Sequence, residues 1–328
     1  MRLMLFEAAY RRVQGELAAL SAPPELLIVD REGRITRDGV ALTPDAAQPD
    51  AAWMSADGMM GAAARGMVAA LMAARKPAWV QSGAAGVDNP IWRQLTARGV
   101  VLTTGHGQAI SIAEYVMGEV LAHFQRHPER RAHQAAHAWT RVPFREIGRM
   151  RWLIVGFGAI GQAVAERARG FGAHVTGVRR SGGSHRLADR IGGLSELKGL
   201  LPDADVVVLA APLNDATRGL ADADFFTAMK PRSMLVNVGR GDLVDEAALL
   251  AALERGAPEH AALDVFHDEP LPADSPFWDH PKVAVNPHAS AFGDGQAARN
   301  DAIFIENLRR RLAGEPLLYE ADPRDLGD

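Results

Sequence analysis

The chain has 328 residues, of which 48% are hydrophobic and 23% are charged, and its formal net charge is −4 at pH 7. This length and composition are typical of a globular protein with about two domains, and the charge offers no basic surface for nucleic acid. The chain contains no cysteine, which excludes disulfides, thiolate metal sites and cysteine nucleophiles. The apolar run at residues 1–6 is too short for a signal peptide, and no stretch approaches the roughly 18 apolar residues of a membrane helix. We therefore expect a cytoplasmic protein that acts on small molecules, without a membrane or nucleic-acid partner.

Short apolar runs alternate with helical segments in the first part of the chain. The pattern predicts strands at residues 24–29, 51–54, 78–80 and 100–102, and helices at 59–74 and 90–98. Because strands and helices alternate, we expect a first α/β domain with a mostly parallel sheet. Apolar residues at four-residue intervals predict a further helix over residues 111–124, which leads into a second domain.

A Gly-x-Gly-x-x-Gly turn lies in the middle of the chain, between an apolar strand at residues 152–155 and an amphipathic helix. Gly156 allows the tight turn, Gly158 lets a diphosphate approach the backbone, and Gly161 lets the helix pack closely on the strand. Free N–H groups at the helix N-terminus hold the phosphates. The predicted dinucleotide turn comprises Gly156, Gly158, Ala159, Ile160 and Gly161.

Strands alternate regularly with helices after this turn. We expect strands at residues 174–178, 205–209, 234–238, 261–265 and 283–285, and helices at 246–254 and 301–312. This pattern predicts a Rossmann doubly wound parallel sheet at residues 107–289. The last helix follows a complete sheet and is expected to return to the first domain. We therefore predict a smaller, flavodoxin-like α/β substrate-binding domain made of residues 1–106 and 290–328.

Three polar residues each follow a predicted strand of the second domain: Arg240, Glu269 and His288. Ligands of an open parallel sheet bind beyond the carboxyl ends of its strands, so all three can face a bound nicotinamide. Each residue alone is more often structural, but the combination indicates a catalytic site.

The motifs around these residues closely resemble those of the D-isomer-specific 2-hydroxyacid dehydrogenases. The resemblance is carried by GFGAIG, PLNDATRGL, MKPRSMLVNVGRGDLVDEAALLAAL, ALDVFHDEPLP, the Pro287-His288 pair, Ser82-Gly83-Ala84-Ala85-Gly86-Val87-Asp88 and Ile112-Ala113-Glu114. It covers nearly the whole chain and is strongest over residues 151–290. The chain departs from the usual family pattern after His288, where it reads Ala-Ser-Ala-Phe-Gly-Asp-Gly.

The family resemblance implies a role for each of these polar residues. Arg240 orients the carboxylate and carbonyl of the substrate, His288 is the general acid and base, and Glu269 pairs with His288. These roles agree with the chemistry, because hydride addition to a 2-oxo acid builds negative charge on oxygen and needs a proton donor. The permanently charged fork of an arginine suits a carboxylate. The resemblance also implies that Asp264 contacts the nicotinamide amide and that Pro212, Thr217 and Val238 line the cofactor.

The glycine-rich loop of the first domain can bind the substrate carboxylate through backbone N–H groups. Its other reading is an ordinary turn between a strand and a helix. The predicted substrate-binding residues are Ser82, Gly83, Ala84, Ala85 and Gly86, together with Arg240 and His288.

The residues after the second strand of the Rossmann domain indicate which nicotinamide cofactor binds. NAD sites usually place an acidic residue there, to bind the ribose 2′-hydroxyl. This chain has Arg179, Arg180 and Ser181 instead. Two guanidinium groups and a hydroxyl suit a 2′-phosphate, so we predict a preference for NADP(H), with NAD(H) as the alternative.

The spacing of His123, His127, His133 and His137 suggests a metal site, but a series of histidines in a polar segment does not by itself provide convergent ligands, and we expect no metal. His106 lies near the inferred substrate site, where a hydrogen bond within its loop is the expected role. Trp139 is expected in the core.

The family resemblance leaves several functions open. We expect a reductase of small 2-oxo acids, with glyoxylate and hydroxypyruvate as first candidates, and a homodimer formed through the cofactor domains. A phosphite-type dehydrogenase uses a similar set of residues. A protein that senses NAD(P) without turnover, like the corepressors built on the same scaffold, is the alternative from another functional class.

Overall fold

The computed structural model describes residues 1–326 of the chain. The strands are β1 (Arg2–Phe6), β2 (Glu25–Val29), β3 (Ile35–Arg37), β4 (Val40–Leu42), β5 (Ala51–Met54), β6 (Trp79–Ser82), β7 (Val101–Thr103), β8 (Arg151–Val155), β9 (His174–Val178), β10 (Arg190–Gly192), β11 (Val206–Leu209), β12 (Met234–Asn237), β13 (His260–Leu263) and β14 (Val283–Val285). The helices are α1 (Glu7–Ala18), α2 (Pro44–Ala47), α3 (Gly61–Ala73), α4 (Pro90–Ala97), α5 (Ala109–Phe124), α6 (His127–Ala135), α7 (Ala159–Gly170), α8 (Leu197–Leu200), α9 (Ala223–Ala228), α10 (Glu246–Arg255) and α11 (Gln296–Ala313).

The described chain divides into two compact units. The first contains Met1–Gln108 and the chain from Gly293 onward, and the second contains Ala109–Phe292. Helix α11 therefore belongs to the same unit as the N-terminal strands, and it packs against α1. Each unit is built on a largely parallel sheet covered by helices, which is the α/β class that the sequence predicts.

The boundaries between the units differ by a few residues from those expected after residue 106 and before residue 290. Gly107 belongs to the first unit because its amide donates to Asn300 Oδ1 at 2.8 Å. Ser290 belongs to the second because its amide donates to Asp264 Oδ1 at 3.0 Å. Hydrogen bonds between residues distant in sequence set both boundaries.

The first unit contains a seven-stranded sheet with the order β4-β3-β2-β1-β5-β6-β7. Its strands are parallel except at β3, which pairs antiparallel with β2 and β4. Helices α1 and α11 bury apolar side chains on one face, where the ring of Phe304 stacks on Trp53 and Trp79. Helices α3 and α4 cover the opposite face. The loops after β6 and β7 therefore leave adjacent strand ends.

The N-terminal strand β1 is the central strand of this sheet, which the sequence pattern did not predict. It pairs in parallel with both β2 and β5. The side chains of Leu3, Met4 and Leu5 are fully buried, and successive residues point to opposite faces. A strand buried on both faces shows no polar alternation, so residues 1–6 carry only the signal of a short apolar run.

The second unit contains a seven-stranded parallel sheet with the order β10-β9-β8-β11-β12-β13-β14. From β8 the chain first builds toward β10 and then, on the other side of β8, toward β14. The order thus reverses between β8 and β11, where an open α/β sheet binds its ligand. The glycine turn follows β8, and the loops after β12, β13 and β14 leave the same edge of the sheet. This arrangement is the predicted doubly wound fold.

Residues 138–146, here called the arm, contain neither helix nor strand. Trp139 is 99% exposed, so its expected place in the core is wrong. Phe144 is also exposed, and the guanidinium of Arg130 lies 5.1 Å from the centre of its ring. No helix among residues 1–326 has the length and apolar character needed to cross a bilayer.

Candidate active site

The turn after β8 carries the three glycines of the dinucleotide motif, and each has a different environment. Gly156 has φ of +95°, and a Cβ there would collide with the backbone of Ala210 and Ala211, which follow β11. A Cβ at Gly161 would collide with the carbonyl oxygen of Gly156, so α7 packs directly on the turn. At Gly158, no atom lies within 4 Å of the position that a Cβ would occupy. The space at Gly158 fits the diphosphate of a dinucleotide.

Helix α7 begins directly after Gly158, which is its N-cap residue. No side chain forms a capping hydrogen bond there. The first N–H groups of a helix have no partner within the helix, so the amides of Ala159 and Ile160 are available to an anion. The dipole of this 12-residue helix favours negative charge at the same place.

Strand β9 is followed directly by the two arginines predicted to select the cofactor. Nε of Arg179 donates to the carbonyl oxygen of Gly182 at 2.7 Å, and Nη2 donates to that of Ser184 at 3.3 Å. Arg180 and Ser181 are exposed. The two arginines therefore differ, because Arg179 stabilises the loop after β9 whereas Arg180 places its charge at the surface.

Two further predicted cofactor positions lie in the loop after β11. The buried hydroxyl of Thr217 donates to the carbonyl oxygen of Pro212 at 2.6 Å and accepts the amide of Asn214 at 2.9 Å. Thr217 thus closes the loop that begins at Pro212. Val238, which directly follows β12, is buried. These residues shape the carboxyl edge of the sheet beside the glycine turn.

His288 and Glu269 form an ion pair at the carboxyl edge of the second sheet. Nδ1 of His288 lies 2.7 Å from Oε2 of Glu269, and their side chains are 48% and 35% exposed. Oε1 of Glu269 accepts the amide of Phe266 at 3.0 Å, which fixes the carboxylate. Because the carboxylate accepts at Nδ1, that nitrogen carries the proton, and Nε2 is the position at which His288 exchanges a proton with a ligand.

The backbone on both sides of Arg240 is held by specific contacts. Nδ2 of Asn237 donates to the carbonyl oxygen of Arg240 at 2.9 Å, and Oδ1 of Asn237 accepts the amide of Gly239 at 3.1 Å. Gly241 lies so close to Phe266 that a Cβ would collide with the Phe266 backbone. The loop that carries Arg240 therefore packs on the loop that leads to Glu269.

Asp264 follows β13, and its carboxylate is bonded to the loop that carries His288. Oδ1 accepts from Asn286 Nδ2 at 2.5 Å and from the amides of Ala289 and Ser290 at 2.9 and 3.0 Å. Oδ2 accepts from Ser290 Oγ. The contact with the nicotinamide amide that the family resemblance implies for Asp264 is not described by these bonds.

The roles of Asn237, Asn286 and Ser290 were not predicted from the sequence. A weak signal was present, because Asn237 ends strand β12 and Asn286 directly follows β14. Asparagine is unfavourable in strands and often bonds to nearby backbone groups, so its place at a strand end suggests a loop-forming role.

In the first unit, the predicted substrate loop directly follows β6. The amide of Gly83 donates to the carbonyl oxygen of Met54 at 2.7 Å, and the amide of Ala84 donates to Ser82 Oγ at 3.1 Å. Among the described residues, the amides of Ala85 and Gly86 make no hydrogen bond. These two N–H groups are therefore the ones that the loop offers to a ligand.

His106 lies beside this loop in the first unit, in the segment after β7. Its ring stacks on Tyr319 at 3.9 Å between centroids, and its Nε2 lies 3.2 Å from Thr104 Oγ1. Burial lowers the pKa of His106 to about 4, so the ring is neutral near pH 7. The hydrogen bond within the loop is the role expected from the sequence.

The predicted series of four histidines does not converge. His123 stacks on His260 at the far end of α5, with 4.6 Å between ring centroids, whereas His127, His133 and His137 lie in and after α6. Over residues 1–326, no group of three or more histidine, aspartate or glutamate side chains is arranged to hold a metal ion.

Comparison with known proteins shows where this arrangement recurs. The model of the NAD-binding domain of the D-isomer-specific 2-hydroxyacid dehydrogenases matches residues 117–290. Glyoxylate/hydroxypyruvate reductase B of Escherichia fergusonii is 32% identical over 308 residues, which cover 89% of this chain and 93% of that protein. A solved D-isomer-specific 2-hydroxyacid dehydrogenase of Xanthobacter autotrophicus, in complex with NADPH, is 29% identical with a TM-score of 0.78, and the match covers 98% of each chain.

A similarity to longer proteins is also present. The D-3-phosphoglycerate dehydrogenase of Mycobacterium bovis is 36% identical over 248 residues, which cover 75% of this chain. The matched part is 47% of that protein, so this chain spans about half the length of the phosphoglycerate dehydrogenase relative.

Proposed function

The chain belongs to the D-isomer-specific 2-hydroxyacid dehydrogenase family, and from that premise we propose that it is an NADPH-dependent reductase of small 2-oxo acids. The observation that carries the proposal is the His288–Glu269 pair, which lies on the sheet edge that also carries Arg240 and the glycine turn. A sensor of dinucleotides needs only the turn. A proton donor and an arginine at the same edge suit the reduction of a carbonyl group.

When bound, the nicotinamide supplies a hydride to the carbonyl carbon of the acid. Arg240 binds the carboxylate and polarises the carbonyl through its planar guanidinium. His288 donates a proton from Nε2 to the carbonyl oxygen as negative charge develops there. Glu269 holds the ring by Nδ1 and stabilises its charged form. The products are a D-2-hydroxy acid and the oxidised cofactor, and the reverse reaction uses the same groups.

The choice of NADP(H) rests on the residues after β9. Arg180 and Ser181 lie at the surface beyond the strand end, where the ribose 2′-phosphate binds in this fold. Arg179 adds positive charge and, through its bonds to Gly182 and Ser184, shapes the loop. The Xanthobacter relative was solved with NADPH, which is consistent with this choice.

The choice of a small substrate rests on the relative named glyoxylate/hydroxypyruvate reductase B and on the loop after β6. The amides of Ala85 and Gly86 offer two N–H groups to a carboxylate, and the side chains of this loop are small. We therefore place glyoxylate and hydroxypyruvate first among the substrates.

A panel of 2-oxo acids tests the proposal. NADPH oxidation is measured with glyoxylate, hydroxypyruvate, pyruvate and phenylpyruvate, and the same series is run with NADH. We expect the highest kcat/KM with NADPH and one of the two smallest polar acids. Binding of NADPH without turnover of any acid would refute the reductase and favour a nucleotide sensor. A higher kcat/KM with NADH would refute the cofactor choice alone.

A homodimer through the cofactor domain is part of the same proposal. The arm belongs to the second unit and exposes Trp139 and Phe144, whose burial in an interface would stabilise a dimer. Light scattering after size exclusion is expected to give twice the 35.2 kDa mass of one chain. Trp139→Ser is expected to shift the protein toward the monomer, and Phe171→Ser, at an exposed site outside the arm, serves as the control. A monomeric wild type would refute this part of the proposal.

A further inference from the structure

The loop that carries His288 is wrapped around one buried carboxylate. Asp264 is 2% exposed, and its two oxygens accept four hydrogen bonds from Asn286, Ala289 and Ser290. Its carbonyl oxygen accepts the amide of His288 at 2.9 Å. Residues on both sides of His288, and His288 itself, are thus bonded to a single residue of the neighbouring strand end.

His288 needs such support because of its backbone conformation. Its φ is +51°, in the left-handed region that residues other than glycine rarely adopt. The loop follows β14, an edge strand that pairs only with β13 in this sheet. A residue in a rare conformation keeps it only where its surroundings over-determine the geometry. Asp264 provides this constraint from the end of β13.

The donors that meet the Asp264 carboxylate are neutral amides and a hydroxyl. Hydrogen bonds to a buried carboxylate are stronger than those between neutral groups, and they compensate its charge. They fix the loop relative to β13, whose following segment carries Glu269. The 2.7 Å contact between His288 and Glu269 therefore depends on the position of Asp264.

We propose that Asp264 is a positioning residue for proton transfer, because its carboxylate holds residues 286–290 and thereby keeps His288 on Glu269 with Nε2 directed to the substrate carbonyl. The proposal rests on the function given above for His288. It assigns Asp264 a role that acts through the histidine, in addition to the contact with nicotinamide that the family resemblance implies.

Two substitutions separate the positioning role from a cofactor contact. Asp264→Asn keeps an oxygen that can accept at the Oδ1 position, and its amide NH2 can donate to Ser290 Oγ, which is able to accept. Asp264→Ala removes all four bonds. We expect kcat at saturating NADPH to fall about 100-fold or more in Asp264→Ala, the scale of general acid catalysis, and by less than about tenfold in Asp264→Asn.

The pH profile and cofactor binding decide between the two roles. In Asp264→Ala we expect the limb of the kcat profile that reports the proton donor to flatten, while the Kd for NADPH, measured by fluorescence titration, changes less than about threefold. A raised Kd for NADPH with an unchanged profile and unchanged kcat would overturn the proposal and leave Asp264 as a cofactor contact only.

A control and a second readout keep the test independent of stability and of turnover. Asp205 is another buried aspartate of the second unit, at the opposite end of the strands, and accepts the amide of Arg151 at 3.0 Å. We expect Asp205→Ala to lower stability without changing the pH profile. If Asp264→Ala does not fold, Asp264→Asn and Ser290→Ala supply the test, with Ser290→Ala expected to lower kcat in the same direction.

The hydrogen-bonded Nδ1 proton of His288 can be observed by NMR without any substrate, and its signal is assigned by its loss in His288→Ala. We expect the signal in the wild type and in Asp264→Asn, and its loss in Asp264→Ala. A signal that persists in Asp264→Ala would overturn the positioning role. A wild type that shows the signal but turns over no 2-oxo acid would refute the proposed function alone.

Discussion

Glu269 holds His288 by one carboxylate oxygen and its own backbone segment by the other. Oε2 lies 2.7 Å from His288 Nδ1, and Oε1 accepts the amide of Phe266 at 3.0 Å. The pair joins the loops after two neighbouring strands, so that the ring of His288 is oriented before any ligand binds. Preorganised groups of this kind favour proton transfer because little reorganisation is needed during the reaction.

Removing the imidazole tests the role of His288 in the reaction. We expect His288→Ala to lower kcat about 100-fold or more, because the carbonyl oxygen loses its proton donor. The Kd for NADPH is expected to stay within about twofold, since the glycine turn is unchanged. Steady-state kinetics and fluorescence titration measure the two quantities. An unchanged kcat would contradict the assignment of His288 as proton donor.

Two glycines of the turn provide a matched pair of substitutions. Gly158→Ala meets no atom of the protein within 4 Å and places a methyl group in the space assigned to the diphosphate. We expect its Tm to match the wild type and its Kd for NADPH to rise about tenfold or more. Gly156→Ala has φ of +95° and a collision with Ala210 and Ala211, so we expect a lower Tm. Equal NADPH binding by Gly158→Ala and the wild type would place the diphosphate elsewhere.

The two arginines after β9 are expected to differ in their effects. Arg180→Ala should lower kcat/KM for NADPH about tenfold or more, the scale of one charge-assisted hydrogen bond, with little change for NADH. Arg179→Ala removes the bonds to Gly182 and Ser184 and should affect both cofactors, because the loop itself loses support. The ratio of kcat/KM for the two cofactors in each variant measures this. An unchanged ratio in Arg180→Ala would contradict selection by this residue.

The stacked histidines predict a loss of stability in mild acid. Burial lowers the pKa of both His123 and His260 to about 4, whereas the unfolded chain binds these protons near pH 6.5. Between these values the unfolded state binds more protons, so stability falls as the pH is lowered from about 6.5 to about 4. The loss is on the order of 3 kcal/mol for an isolated histidine with this shift.

Urea denaturation at pH 7.5 and pH 5 measures that loss. We expect a smaller difference between the two pH values in His260→Gln than in the wild type, because one of the two titrating groups is absent. His174→Gln, which replaces a largely exposed histidine at the start of β9, serves as the control. An equal difference in His260→Gln and the wild type would exclude this pair as the source.

The sequence alone determined most of the second unit and part of the first. Apolar runs with turn residues at their ends predicted the strands that surround the glycine turn, because period and punctuation are local properties. The fold class followed from the regular alternation of these runs with helices. Arg240, Glu269 and His288 were identified because each follows a strand, and the carboxyl ends of parallel strands share one edge.

Only the tertiary structure decided which groups meet at that edge and what each residue contacts. The bonds from residues 286–290 to Asp264 and those from Arg179 to the loop after β9 depend on strand register and loop path, which a pattern along one chain does not encode. The central place of β1 and the exposure of Trp139 were decided in the same way, because packing between distant segments determines which apolar residues are buried.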